Sequence, residues 1–227
     1  VLLQQTYLWT KNYSNYAKYV SRTGKKTSNT IDKLIQFIEQ ELINFPDSDE
    51  FVNILEKKKN ENQHSLSFCV YMTNQCNSTF YFARENAQNG SSTVDIGIYK
   101  GSNLIFTIEA KLLPIPVRGK KGKRKEYEYV HGKGAGIQRF KDNNHGLDNS
   151  GNLLVENGLI AFVKQDSFET WFLKINQWIL DANWPETEQL QKDYFSQIAK
   201  LKSTHKRIDN SKLILHHFWV NVAQKAV

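Results

Sequence analysis

The sequence predicts an α/β fold, and three observations carry that expectation. Val94, Ile96 and Ile98 alternate with Asp95, Gly97 and Tyr99, and after a short turn Leu104, Phe106, Ile108 and Ala110 alternate with Ile105, Thr107, Glu109 and Lys111. This two-residue period is that of paired strands. Upstream, Ile31, Leu34, Ile35, Ile38, Leu42 and Ile43 recur at the spacing of an amphipathic helix, with Thr30 placed to cap it and Pro46 to stop it. Downstream, buried-strand and helix patterns keep alternating. A chain of 227 residues suits one main domain with a single sizeable core.

The elements are justified in order. Residues 1–29 place Tyr7, Trp9, Tyr13, Tyr16 and Tyr19 at roughly helical spacing before a linker-like Gly, Lys, Ser and Thr stretch, so an aromatic-rich helix and linker are expected there, with the main domain in 30–227. Residues 49–59 read as a short helix, 56–64 as a polar loop, and 66–72 as apolar without a clear period. A strand is expected over 79–85 and a connecting turn over 86–92. Beyond the hairpin, 158–164 reads as a buried strand. Ser167 is placed to cap a helix carrying Phe168, Trp171, Phe172, Ile175, Trp178 and Ile179. Residues 188–201 read as helical, and 212–222 contain a last strand on which His216 and His217, being adjacent, take opposite faces.

Composition limits the function. The net charge is +7, and Arg118, Lys120, Lys121, Lys123, Arg124 and Lys125 concentrate six positive charges in eight residues. That basic loop leaves directly from the Lys111 strand, which favours a phosphate-binding role. Arg139 and Lys141, on a helix after Gly132, Gly134 and Gly136, are further candidate phosphate ligands. The glycines lack the spacing of a dinucleotide or phosphate loop, and there is no Gly-x-Ser-x-Gly elbow. Cys69 and Cys76 are too few for a disulfide framework. No apolar run approaches bilayer length and no leader pattern opens the chain, so a soluble, cytoplasmic protein without a membrane partner is expected.

The hairpin carries the chemistry. If Gly101-Ser102-Asn103 is a three-residue loop, Asp95 faces Glu109 and both apolar sets share a face. The one-residue gap in Glu109-Ala110-Lys111 sets carboxylate and ammonium on the same side, with Ala110 turned into the core. Two neighbouring carboxylates call for a cation, and hard oxygen ligands suit Mg²⁺ or Mn²⁺. Glu85, across the 86–92 turn from Asp95, is a candidate further metal ligand. Glu56-Lys57-Lys58 repeats the acid-x-lysine pattern, but in a polar run rather than closing an apolar strand.

Asp95, thirteen intervening residues, and Glu109-Ala110-Lys111 at the end of the next strand resemble the signature of the PD-(D/E)xK nuclease superfamily, with Val94 standing where the Pro would be. The resemblance implies a restriction-endonuclease-like fold: a mixed β-sheet core flanked by helices. It implies that Asp95, Glu109 and the Ala110 carbonyl hold the metal and that Lys111 orients the attacking water. It also implies a Gln on the following helix near the metal, for which Gln138 is the candidate, and an acidic residue on an early helix, for which Glu39 and Glu41 are. The expected activity is Mg²⁺-dependent phosphodiester hydrolysis by a DNA endonuclease, in the manner of bacterial restriction or anti-phage defence, on double-stranded DNA and with a second copy or a regulatory protein as partner. The alternative is a nucleic-acid-binding or scaffolding module with this fold and no turnover.

Overall fold

The computed structural model describes residues 30–55, 60–115, 126–132 and 134–223. The aromatic-rich 1–29 stretch, Glu56-Lys57-Lys58 and the basic loop at 118–125 lie outside them. The chain divides into two units, Val1–Lys33 and Leu34–Val227; only Thr30–Lys33 of the first are described, and the second is a mixed α/β unit with a seven-stranded sheet flanked by helices.

Among the described residues three α-helices precede the sheet: α1 (Thr30–Leu42), α2 (Asp49–Leu55) and α3 (Glu61–Gln75). Pro46 sits in a 3₁₀ turn, Phe45–Asp47, after α1 has ended. The Asn60 side chain caps α3 by accepting from the Gln63 N–H at 3.0 Å. The strands are β1 (Tyr81–Ala87), β2 (Thr93–Lys100), β3 (Asn103–Leu113), β4 (Glu156–Val163), β5 (Gln191–Phe195), β6 (Ile198–Lys206) and β7 (Lys212–Asn221), in the spatial order β1-β2-β3-β4-β7-β6-β5. The β3–β4 and β4–β7 pairs are parallel and the others antiparallel. A short helix α4 (Gly136–Lys141) and a longer α5 (Phe168–Asp181) complete the order.

Both faces of the central strands are covered, which makes β3, β4 and β7 nearly continuously buried. On one face Phe162 packs with Phe45 and His64, and Phe82 with Phe37 and Phe68. On the other, Leu159, Ala161, Val163 and Trp219 pack with Ile137, Phe140 and the buried stripe Trp171, Ile175 and Ile179 of α5. Glu109 and Lys111 lie on this second face, beside Leu159 and Ala161 in register. The same face buries a hydrogen-bonded chain: Glu188 to His205 (2.9 Å), His205 to Ser203 (2.7 Å), Ser203 to His217 (2.8 Å) and His217 to Tyr129 (2.9 Å), with the Trp219 indole donating to the Tyr129 hydroxyl at 3.0 Å.

Three expectations need correction. Residues 188–201 form no helix: a 3₁₀ turn (Glu186–Glu188) leads into the antiparallel β5–β6 pair. Leu190, Tyr194, Ile198 and Leu201 do recur at helical spacing, yet Lys200, Lys202 and Lys206 alternate with Ala199, Leu201, Ser203 and His205, and the sheet buries that second set. The strand pattern was hidden because Ser203 and His205 occupy interior positions. The expected loop at 56–64 is overturned from Glu61 onward, where α3 begins. The hairpin turn holds two residues, not three: Lys100 pairs with Asn103 and Tyr99 with Leu104, and a bulge between Ile98 and Tyr99 restores the Ile98–Phe106 and Ile96–Ile108 register. The bulge supplies the residue that the turn lacks, so the expected register holds at Ile98–Phe106 and Ile96–Ile108, where the pairing ends one residue short of Asp95. Among the described residues no helix is long and apolar enough to cross a membrane.

Candidate active site

The site forms where the β2–β3 ladder ends. Pairing runs to Ile96–Ile108 and stops, although β3 continues to Leu113. The next inward N–H groups of β3 therefore need other acceptors, and carboxylates supply them: Asp95 Oδ2 accepts from the Ala110 N–H at 2.8 Å and Glu61 Oε2 from the Leu112 N–H at 3.1 Å. Asp95 comes from β2 and Glu61 from the first turn of α3, so two elements close the strand end with negative charge.

Glu109 and Lys111 are each only 2% exposed, and Lys111 Nζ donates to Glu109 Oε1 at 2.6 Å. Arg139 Nη1, from α4, reaches the same oxygen at 3.3 Å and keeps about a third of its side chain exposed. Gly136 makes this seating possible. A Cβ there would lie 2.8 Å from Leu159 Cδ2, 2.9 Å from the Tyr129 carbonyl and 3.5 Å from Lys111 Cε, so a larger residue would push α4 off the Lys111 stem. His145, fully buried on the loop after α4, places Nδ1 3.4 Å from Glu109 Oε2.

Electrostatics at the site is dominated by carboxylates in little water. Burial first, and Glu109 second, push the Asp95 carboxyl up to about 7, against the opposing charge of Lys111 and the Ala110 hydrogen bond. Burial alone would depress Lys111, but Glu109, Glu61 and Asp95 hold its ammonium above the ordinary lysine value. Burial, reinforced by Arg139 and Lys111, brings His145 down to about 3, so its imidazole is neutral. Asp95 thus behaves as a carboxyl short of positive charge, and Glu109 Oε2 is buried without a hydrogen bond. Hard oxygen donors in that condition fit a divalent cation. Among the described residues no three His, Cys, Asp or Glu side chains converge as a ready metal group.

The other expected residues separate. Gln138 lies on α4, but its amide donates to Asp142 at 2.8 Å, four residues on in the same helix. Glu85 has a left-handed backbone (φ 53°). Its largely exposed carboxylate pairs with Arg84 at 2.9 Å, outside the buried cluster. Lys141 pairs with Glu188 and lies 3.9 Å from the Trp184 ring centroid, at the far end of the buried hydrogen-bonded chain. Glu39 pairs with Lys200 and Glu41 with Tyr71; the early-helix acid that reaches the site is Glu61. Sequence reasoning missed it because 56–64 read as a loop, although Asn60 followed by Gln63 is a capping signal. His145 was not a candidate either, since nothing in the local sequence marks that residue. A cleft of about 400 Å³ opens elsewhere, lined by Glu188, His205 and Lys212 among others and by none of the site residues.

No family model, curated protein or solved structure matches the chain.

Proposed function

We propose that the chain is a metal-dependent nuclease that hydrolyses phosphodiester bonds, with double-stranded DNA as its substrate. The observation that carries the reading is the Lys111–Glu109 contact at 2.6 Å beside Asp95 at the open end of the β2–β3 ladder. Acid, acid and lysine interact at that end, and the basic 118–125 segment follows β3 in the sequence. The restriction-endonuclease-like character of the fold is part of this proposal, and the order of the first three strands and α4 around the acids supports it. A role in restriction or phage defence follows from the resemblance alone.

In this mechanism Asp95 and Glu109 would hold Mg²⁺ or Mn²⁺, together with the Ala110 carbonyl. The bound ion would supply Lewis-acid polarisation of the phosphate and a bound water of lowered pKa. Lys111 keeps its proton and, fixed by Glu109, presents a compact ammonium to charge developing on the phosphate oxygens. Arg139, partly open to solvent on the same Glu109 oxygen, is placed to receive the substrate phosphate as it enters. Burial beneath α4 keeps bulk water from the ammonium, which strengthens its effect.

Plasmid, linear duplex and single strands incubated with and without Mg²⁺ or Mn²⁺ test the reading. Cleavage is expected only with metal, and it should be abolished in Asp95→Ala and Glu109→Ala. Normal cutting by either variant removes the metal assignment. Duplex binding without cutting by the metal-loaded wild type would favour a binding module.

A further inference from the structure

His145 is too carefully placed to be a spectator. Its backbone N–H and that of Asn144 both reach the Arg139 carbonyl, at 3.2 and 3.0 Å, and its ring meets Phe140 edge-on at 5.6 Å. Gly146 follows with φ 84°, and a Cβ there would come within 2.9 Å of the Asn157 amide. The loop therefore holds the imidazole in one place with no exposure. Both ring nitrogens nevertheless lack a hydrogen bond of normal geometry, although the backbone at Thr93 lies close, and so does Glu109 Oε2. Each such buried atom is costly, and native structures rarely keep several in one place without a use for them.

The distance narrows that use. Nδ1 lies 3.4 Å from Oε2 with no hydrogen bond of normal geometry between them, and with the ring proton on Nε2 two lone pairs face each other. One cation satisfies both atoms. Two donors each about 2.1 Å from a shared ion lie about 3.4 Å apart at a tetrahedral angle and about 3.0 Å apart at an octahedral one, so this separation admits either with a small movement. Glu109 can spare Oε2 because Lys111 and Arg139 already occupy Oε1.

We propose that Glu109 Oε2 and His145 Nδ1 are a chelating pair for one divalent ion, so that the site takes a nitrogen-accepting metal such as Mn²⁺ in preference to Mg²⁺. The inference rests on the metal-dependent reading above and adds to it a donor that the acid-x-lysine pattern does not contain. Imidazole suits first-row transition ions, whereas Mg²⁺ keeps oxygen ligands and its own waters. Coordination positions beyond the protein donors fall to water and to a substrate phosphate oxygen.

The experiment is Mn²⁺ titration of the full chain followed by electron paramagnetic resonance, with spin-echo modulation recorded on the bound ion. One bound Mn²⁺ carrying a ¹⁴N coupling is expected. His145→Phe should abolish the coupling and weaken Mn²⁺ binding by about tenfold or more, and Mg²⁺ should displace Mn²⁺ from the wild type only at large excess. Bound Mn²⁺ without nitrogen coupling overturns the proposal, as do failure of the wild type to bind Mn²⁺ and survival of the coupling in a folded His145→Phe. The wild-type spectrum decides even where the variant does not fold. Cleavage is not the readout, so the two readings fail separately: a nitrogen-coupled ion in a protein that cuts nothing removes the nuclease, and a nitrogen-free ion in a protein that cuts removes only His145.

Discussion

At the residue scale, the acids that make the site useful also make it costly. A carboxyl held up to about 7 in the folded chain, against an ordinary 3.8, makes the folded state bind the extra proton between those pH values. Its contribution to stability therefore falls as pH rises through that window and stays low above it. Asp95→Asn, which keeps an acceptor for the Ala110 N–H, should raise the melting temperature of metal-free protein at pH 8 and leave it nearly unchanged at pH 4. Divalent metal should stabilise the wild type more at pH 8 than at pH 5. Equal effects at both pH values in thermal melts would show that Asp95 is not the strained group. Lys111 has the opposite character. Lys111→Met leaves the Glu109 charge buried and without its ammonium, a loss of about 3–5 kcal/mol, and the double variant Glu109→Gln/Lys111→Met should recover most of it in denaturant unfolding. Loss of cleavage in Lys111→Met alone is informative only where that measurement finds the protein folded.

At the element scale, register matters more than composition. The β2–β3 bulge and the early end of the ladder were not legible in the sequence, because alternation reports which face a residue takes and not where pairing stops. The acid-x-lysine strand, Ser167 as the cap of α5, and the opposite placement of His216 and His217 were legible, since each depends on local spacing alone. His216 bonds Glu156 at 2.8 Å while His217 enters the chain to Ser203. Glu61 and His145 were not legible because their approach to Glu109 and Lys111 is made by tertiary packing. Two predictions belong here. Gly97 lies under the Asn86 side chain, which a Cβ would meet at 2.5 Å, so Gly97→Ala should cost about 1–3 kcal/mol, and pairing it with Asn86→Ala should return part of that loss. Ser203→Ala strips a partner from both His205 and His217 and should cost about 1–3 kcal/mol for each nitrogen left unsatisfied. A change under half that in either unfolding series would refute the packing described.

At the scale of the whole molecule, the charge of +7 acts at longer range than any pair. Neutralising Lys120, Lys121, Lys123, Arg124 and Lys125 together should weaken duplex binding and flatten its dependence on salt by about 0.9 for each phosphate that is no longer neutralised. An unchanged slope in a binding titration would mean that those side chains only solubilise the chain. The sheet order has a separate consequence, one of timing. The strand β7 is inserted between β4 and β6, and through the Leu159–His217 pair it flanks the row that contains Glu109. A ribosome that has released only as far as β6 has therefore produced the acids and the lysine but not the strand that closes the sheet beside them. Until then β4 presents an open edge, and its pairing with residues more than fifty positions away is the slow, non-local kind. In a nascent chain of this design the row of Glu109 therefore stays without its full cover of strands until β7 has emerged and paired with β4.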